Sequence, residues 1–286
     1  MLGDTATNHP AKVWWDGELL PAAAAFVPAA STGHLWGRGV FETILVHEGQ
    51  PFALTRHLAR LRAGAARLAL ELPDDPSLQT AIAAVLTGCP QGVHRLRLTL
   101  TGGETPGLSL TPEPGHLLIQ LGTVPPIAPQ ARLLTVPWRR NEFSPLAGLK
   151  STSYAENAVA LAWACERGAT EALFLNTAGD LCEGAVSNLF IVRDGIVLTP
   201  FPDAGCLPGI TRAIVLELCA MLGRPTMERA LPPSELDSAD EIFLTNSLRG
   251  IVPALTVDRR TFKASGPVIL ELAAALADLR GRLPDP

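Results

Sequence analysis

The chain has 286 residues, of which 47% are hydrophobic and 18% charged. That suits one large folded domain or two ordinary ones and excludes a disordered chain. A net charge of −5 gives no global attraction to nucleic acid or to an anionic membrane. The five cysteines (Cys89, Cys165, Cys182, Cys206, Cys219) form no Cys-x-x-Cys pair. The opening residues are polar, and no apolar run nears the roughly 20 residues of a membrane span. The expectation is a cytoplasmic protein with reduced thiols.

In chain order, Val13–Trp15 and Glu18–Leu20 flank Asp16-Gly17, a tight-turn pair, and predict a hairpin. Phe41–Val46 and Pro51-Phe52 flank Glu48-Gly49 and predict a second one. Leu54–Leu68 has helical apolar spacing with arginines on its other side. Asp75-Pro76 opens another helix. Arg95–Thr101 and Leu117–Leu121 read as strands. Three prolines in Pro125-Pro126-Ile127-Ala128-Pro129 mark an extended linker. The predicted organisation is a small domain over residues 1–122, a linker over 123–130 and a larger domain over 131–286. In that second part, Ser151–Arg167 reads as a helix ended by Gly168. Strands are predicted at Glu171–Asn176, Asn188–Val192, Ile196–Thr199, Glu241–Thr245 and Ile251–Val257. Further helices cover Ile210–Leu222 and Pro267 to about Arg280. Without regular βαβ alternation, the predicted fold class is α+β.

Two residues stand out chemically. Lys150 is one of three lysines against twenty arginines, and Tyr154 is the single tyrosine. Arginine cannot supply a deprotonated amine, whereas a desolvated lysine can attack a carbonyl to form a Schiff base. If a helix starts near Lys150, the spacing of four puts both side chains on one face of its first turn. A surface lysine and a packed tyrosine would look the same. Gly209-Ile210-Thr211 opens a helix whose first amides could hold an anion, or it is an ordinary capped terminus. Thr245-Asn246-Ser247 could cap an anion from a second side or be a turn. Glu183, among apolar and small neighbours, needs a partner, either a protonated ring nitrogen or an arginine. Arg56 could reach a phosphate bidentately or belong to a solvated helix face. The histidines show no ligand pair at helical spacing, so no metal is expected. Nucleotide-loop, dinucleotide-fold and serine-hydrolase signatures are missing as well.

Six stretches occur together, in order: Gly37-Arg38-Gly39-Val40-Phe41-Glu42-Thr43, Arg56-His57-Leu58-Ala59-Arg60-Leu61, Leu149-Lys150, Cys182-Glu183-Gly184 through Ser187-Asn188, Pro208-Gly209-Ile210-Thr211-Arg212, and Asn246-Ser247. In this arrangement the chain resembles the class IV (fold-type IV) pyridoxal-phosphate enzymes over roughly Gly37–Pro253. That group includes branched-chain and D-amino acid aminotransferases and aminodeoxychorismate lyase. The resemblance implies the D-amino acid aminotransferase-like fold, with pyridoxal 5'-phosphate between two α/β domains, and a homodimer acting on a small molecule. It implies that Lys150 carries the cofactor as a Schiff base and moves protons, and that Glu183 pairs with the pyridinium nitrogen. Tyr154 would contact the ring phenolate. Arg56, Gly209, Ile210, Thr211 and Ser247 would hold the phosphate, and Asn188 would lie in the cofactor site.

Further segments look most like aminodeoxychorismate lyase of the folate pathway. They are Arg139-Arg140-Asn141-Glu142, Ser144 through Thr152, Gly205-Cys206-Leu207 and Thr245 through Gly250. The alternatives are a class IV aminotransferase acting on branched-chain or D-amino acids, and a cofactor-bearing protein without turnover. Two departures bear on the substrate. Arg38 stands where such relatives usually have aspartate, and Gly102-Gly103-Glu104-Thr105-Pro106-Gly107 lacks their substrate-carboxylate arginine. Arg38 or Arg97 is expected to supply that charge, unless Arg38 pairs with a neighbouring carboxylate.

Overall fold

The structure is a computed structural model that describes residues 12–105, 107–126, 128–263 and 266–286. The chain divides into two compact units. The first comprises Met1–Pro125, Lys150–Ser153 and Pro284–Pro286; the second comprises Pro126–Leu149 and Tyr154–Leu283. The division falls inside the expected linker, whose Ile127 lies outside the described residues. Gly122 and Thr123, however, still belong to the strand His116–Thr123. Lys150 groups with the first unit, although the sequence reading placed it in the second.

The first unit is built on a six-stranded antiparallel sheet. Its order is Glu18–Pro21, Lys12–Trp15, His116–Thr123, Val93–Thr101, Gly39–His47 and Gln50–Pro51. Both predicted hairpins are present. Asp16-Gly17 and Glu48-Gly49 have positive φ at both positions, the turn geometry that matches strand twist. Ile44, Leu96, Leu98, Leu100 and Ile119 are fully buried in its core. The unit also holds the Leu54–Arg67 and Asp75–Leu86 helices, a short helix Thr32–Trp36 and the strand pair Leu70–Glu71 with Glu113–Pro114. Asp74 caps the Asp75–Leu86 helix, its side chain accepting from the Ser77 amide at 2.9 Å, with proline in the first turn.

The second unit has a nine-stranded sheet. Six strands run Leu181–Gly184, Glu171–Asn176, Ala131–Arg140, Gly250–Val257, Glu241–Asn246 and Asn188–Arg193. The sixth pairs back onto the first through Glu183 and Asn188, which closes a ring. Its interior holds Leu133, Leu173, Leu189, Ile191, Ile242 and Leu244. The strand Ala131–Arg140, which runs through Pro137, was not predicted.

One prediction is corrected. The helix expected from Ser151 begins at Ala155 and ends at Cys165, with Tyr154 at its N-cap. Lys150–Ser153 is instead drawn alongside the strand Gly39–His47. The Phe41 amide donates to the Lys150 carbonyl at 3.0 Å and the Thr152 amide to the Gly39 carbonyl at 2.8 Å, and Ser151 bridges Val40. The Thr152 and Ser153 hydroxyls donate to the Gly37 carbonyl. Serine and threonine compete in this way with helical hydrogen bonding. Lys150 and Tyr154 therefore do not share a helical face.

Candidate active site

In the first unit, Lys150 Nζ lies 4.3 Å from the centroid of the Phe41 ring, and the Arg97 guanidinium carbon lies 4.0 Å from it. Phe41 and Thr43 alternate on the strand Gly39–His47, and Arg97 is the cross-strand partner of Thr43. The sheet thus brings a guanidinium to the same ring as the amine, and the ring quadrupole favours both cations.

One residue along the strand is Glu42, 1% exposed. It accepts from His57 Nδ1 at 2.7 Å and from Arg60 Nε and Nη2 at 2.7 and 2.8 Å. Burial works to raise the Glu42 carboxyl, but Arg60 and His57 outweigh it and hold the pKa down to about 2. Burial pushes the His57 pKa down, against the pull of Glu42, and the Lys150 charge adds to the fall.

Arg56 sits at the start of the Leu54–Arg67 helix, whose N-cap, Ala53, has no side-chain cap bond. The tail supplies that cap. Asp285 accepts from the Thr55 amide at 3.0 Å and from its hydroxyl at 2.5 Å, the Ala53 amide donates to the Pro284 carbonyl at 2.7 Å, and Arg56 Nε donates to the Pro286 carbonyl at 2.8 Å. This fixes the root of the guanidinium.

Arg38, the other arginine singled out for a substrate, is 4% exposed. It pairs with Glu113 Oε1 at 2.6 Å and donates to the carbonyls of Leu68, Ala69 and Thr111. Its charge is committed to the interior of the unit. The neighbouring-carboxylate alternative describes this position, and the expected substrate role does not.

In the second unit, Glu183 stands at the ring closure, 8% exposed. Its Oε2 accepts from the Leu207 amide at 2.8 Å, and Oε1 is 3.3 Å from Arg140 Nε. The Arg140 guanidinium lies 4.2 Å over the Phe174 ring and donates to Glu156 at 2.8 Å. Both partners foreseen for Glu183, an arginine and a ring nitrogen, thus concern one carboxylate, and the arginine is in place.

Asn188, paired with Glu183 on one side and Thr245 on the other, donates Nδ2 to the Leu207 carbonyl at 2.8 Å. A Cβ on Gly209 would stand 2.0 Å from Asn188 Oδ1, so only glycine fits. Gly209 is the N-cap of the Ile210–Met221 helix and has no side chain to accept from its first amides. Thr211 is buried at 3% exposure. The Thr245 hydroxyl is buried without a hydrogen-bond partner. An uncapped helix start, with a buried threonine in its first turn and an orphaned hydroxyl across Asn188, fits an anionic group. Ser247 follows in the next turn, its carbonyl accepting from Arg280 at 3.3 Å.

Tyr154 donates its hydroxyl to the Ala185 carbonyl at 3.2 Å, while Asn157 Nδ2 reaches the same oxygen at 2.6 Å. If the tyrosine proton turned to a ligand, that carbonyl would still hold the shorter bond.

The sequence reading had not singled out Phe41, Arg140, Glu171 or Thr245 as individual site residues, although three of the four lie inside quoted stretches. Only Glu171 lay outside them, a carboxylate opening an apolar strand. Among the described residues no cluster of three metal-binding side chains occurs, and no helix is long and apolar enough to cross a membrane.

The pattern of the family described as Amino-transferase class IV matches residues 39–257. A Methanocaldococcus jannaschii protein, named as a candidate branched-chain-amino-acid aminotransferase, is 30% identical over 280 residues, 94% of this chain and 96% of its own. Among solved structures, a candidate 4-amino-4-deoxychorismate lyase from Legionella pneumophila superposes with a TM-score of 0.85 at 29% identity, covering 90% of this chain and 96% of that one. The T.th. branched-chain amino acid aminotransferase, solved with pyridoxamine 5'-phosphate, gives 0.87 at 29% identity over 96% of each chain. The chain belongs to the class IV aminotransferase family. Its fold is the α+β fold of the fold-type IV pyridoxal-phosphate enzymes, and pyridoxal phosphate is the cofactor.

Proposed function

We propose that the protein is a 4-amino-4-deoxychorismate lyase, which eliminates pyruvate to leave 4-aminobenzoate for folate synthesis and works as a cytoplasmic homodimer. The observation that carries an amine-and-carboxylate substrate is the sharing of the Phe41 ring by the Lys150 amine and the Arg97 guanidinium. What favours the lyase is the lyase-like segments around Arg139–Thr152, Gly205–Leu207 and Thr245–Gly250, together with the likeness to the Legionella protein.

On this reading Lys150 carries the cofactor and then acts as the base. Its Nζ takes the proton from the ring carbon that bears the substrate amine, and loss of the enolpyruvyl group aromatises the ring. The cofactor, when bound, supplies the electron sink. Glu183, held by the Leu207 amide and Arg140, presents a fixed carboxylate to the ring nitrogen. Gly209–Thr211, Thr245, Ser247 and Arg56 hold the phosphate. Tyr154 can lend its hydroxyl proton to the ring phenolate because Asn157 retains the Ala185 carbonyl. Arg97 binds a substrate carboxylate.

The second reading is a class IV aminotransferase, favoured by the naming of the M. jannaschii relative. Purified protein supplied with aminodeoxychorismate is expected to release pyruvate and an aromatic amine. Amine exchange between an amino donor and a keto acid, without pyruvate release, would establish the second reading instead. Lys150→Ala is expected to abolish both the reaction and the visible absorbance of the bound cofactor; a retained band would sink the lysine assignment.

A further inference from the structure

The ring of strands in the second unit closes at one pairing, Glu183 with Asn188. The segment Gly184–Ser187 spans that closure. Beneath it lies Glu171, the first residue of the strand Glu171–Asn176, with no exposed surface. Its Oε1 accepts from the Ala185 amide at 3.0 Å and the Ala172 amide at 3.2 Å, and its Oε2 is bonded to the Ser187 hydroxyl at 3.0 Å. A Cβ on Gly184 would stand 2.3 Å from Ser187 Oγ and 3.1 Å from the Glu171 carboxyl carbon, so the packing is tight. The same Ala185 that donates to Glu171 accepts from Tyr154 and Asn157 at its carbonyl. None of these bonds serves the reaction directly.

We propose that Glu171 is a positioning residue with two settings: its carboxyl group fixes the segment between Glu183 and Asn188, and gain or loss of its proton reverses the Ser187 hydroxyl and resets Tyr154 through Ala185. Oε1 accepts two backbone amides in either state. Oε2 does not behave alike in both. As a carboxylate it accepts from the Ser187 hydroxyl; as an acid it carries a proton that donates to Ser187 Oγ, and the serine proton must then turn elsewhere. Because Ser187 and Ala185 share one short segment, the change is transmitted to the carbonyl on which the Tyr154 hydroxyl rests.

Burial raises the Glu171 pKa to about 7, against the Ser187 and Ala185 bonds and the Arg249 charge, so both settings are reached near neutral pH. Arg249 is the charged group facing it from the turn before Gly250–Val257; its pKa is lowered by its own burial and raised by Glu171. On the neighbouring strands, Glu183 and Arg140 are paired with each other, and Glu156 of the adjoining helix is also held by Arg140.

A raised carboxyl pKa means that the folded chain holds a proton the unfolded chain has lost. The stabilisation is complete below the unfolded value near 4.5 and is lost as pH climbs through about 7. Glu171→Gln imitates the protonated setting, since its amide can donate to Ser187 while its oxygen accepts from the two amides. In cofactor-free protein, its melting temperature is expected to match wild type near pH 5 and to exceed it by several degrees, roughly 5 °C, near pH 8. A gap that does not change with pH overturns the two-setting device.

In cofactor-loaded protein, Glu171→Gln is expected to shift the pH midpoint of the visible band, as Tyr154→Phe does. The double variant should shift it no further than the larger single change. An unmoved midpoint in Glu171→Gln overturns the coupling to Tyr154. This spectral arm rests on the roles assigned to Lys150 and Tyr154, whereas the thermal arm does not, so failure of either is distinguishable. Should Glu171→Gln fail to fold, Ser187→Ala serves. It removes a donor to the anionic form, and the fall in stability should move to higher pH; an unmoved fall counts against the proposal.

Discussion

Two arginines of the first unit show how placement decides what a charge does. Arg38 spends its guanidinium on Glu113 and three carbonyls inside the unit. Arg97 instead lies over the ring that also faces Lys150. Arg38→Ala should therefore destabilise the protein by about 3 kcal/mol, because it removes the guanidinium partner of the partly buried Glu113 carboxylate and the donors to three carbonyls. Its KM should stay unchanged. Arg97→Ala should do the reverse, raising KM about 10- to 100-fold through loss of a charge-assisted bond, with little change in melting temperature. Steady-state kinetics and thermal melts on both variants test the contrast; a raised KM in Arg38→Ala would undo the assignment. The sequence offered both arginines equally. The resemblance implied that a cation was needed, but not that Glu113, seventy-five positions from Arg38, had already claimed one of them.

At the scale of elements, local chemistry was legible wherever it was self-contained. Asp-Gly and Glu-Gly turns, the proline-led start of the Asp75–Leu86 helix and the apolar spacing of the Leu54–Arg67 helix all behave as their residues dictate. The helix expected from Ser151 was misplaced because long-range pairing with Val40 and Phe41 competes with helix formation there, and no window of neighbouring residues contains that information. The strand Ala131–Arg140 escaped notice because it contains Pro137, which has no amide to give a sheet ladder and argues against a strand in sequence. At Gly209 the φ of −70° is ordinary, and the constraint is the approach of Asn188 Oδ1. Gly209→Ala should therefore weaken cofactor affinity about tenfold or more, ~1.4 kcal/mol, by displacing Asn188 and the helix start together. Fluorescence titration with pyridoxal phosphate measures it; undiminished affinity would mean that Asn188 can give way.

At the scale of the whole molecule, each unit takes elements from separated stretches of chain. The first unit includes Lys150–Ser153 and Pro284–Pro286 along with its own 125 residues. Removal of residues 284–286 should expose the start of the Leu54–Arg67 helix, since Asp285 and the Pro284 carbonyl are its cap, at a cost of about 1 kcal/mol. Hydrogen exchange at Ala53 and Thr55 should quicken while the Val93–Thr101 strand stays protected; unchanged exchange would show that the tail is dispensable to the helix. The same cap has a consequence for synthesis. A ribosome makes the Leu54–Arg67 helix more than 200 residues before it makes Asp285. Throughout that interval the helix start lacks its acceptor and Arg56 lacks its tether. The Leu54–Arg67 helix is thus made early and finished late, and a nascent chain stalled before Asp285 would carry a helix start that still lacks this cap.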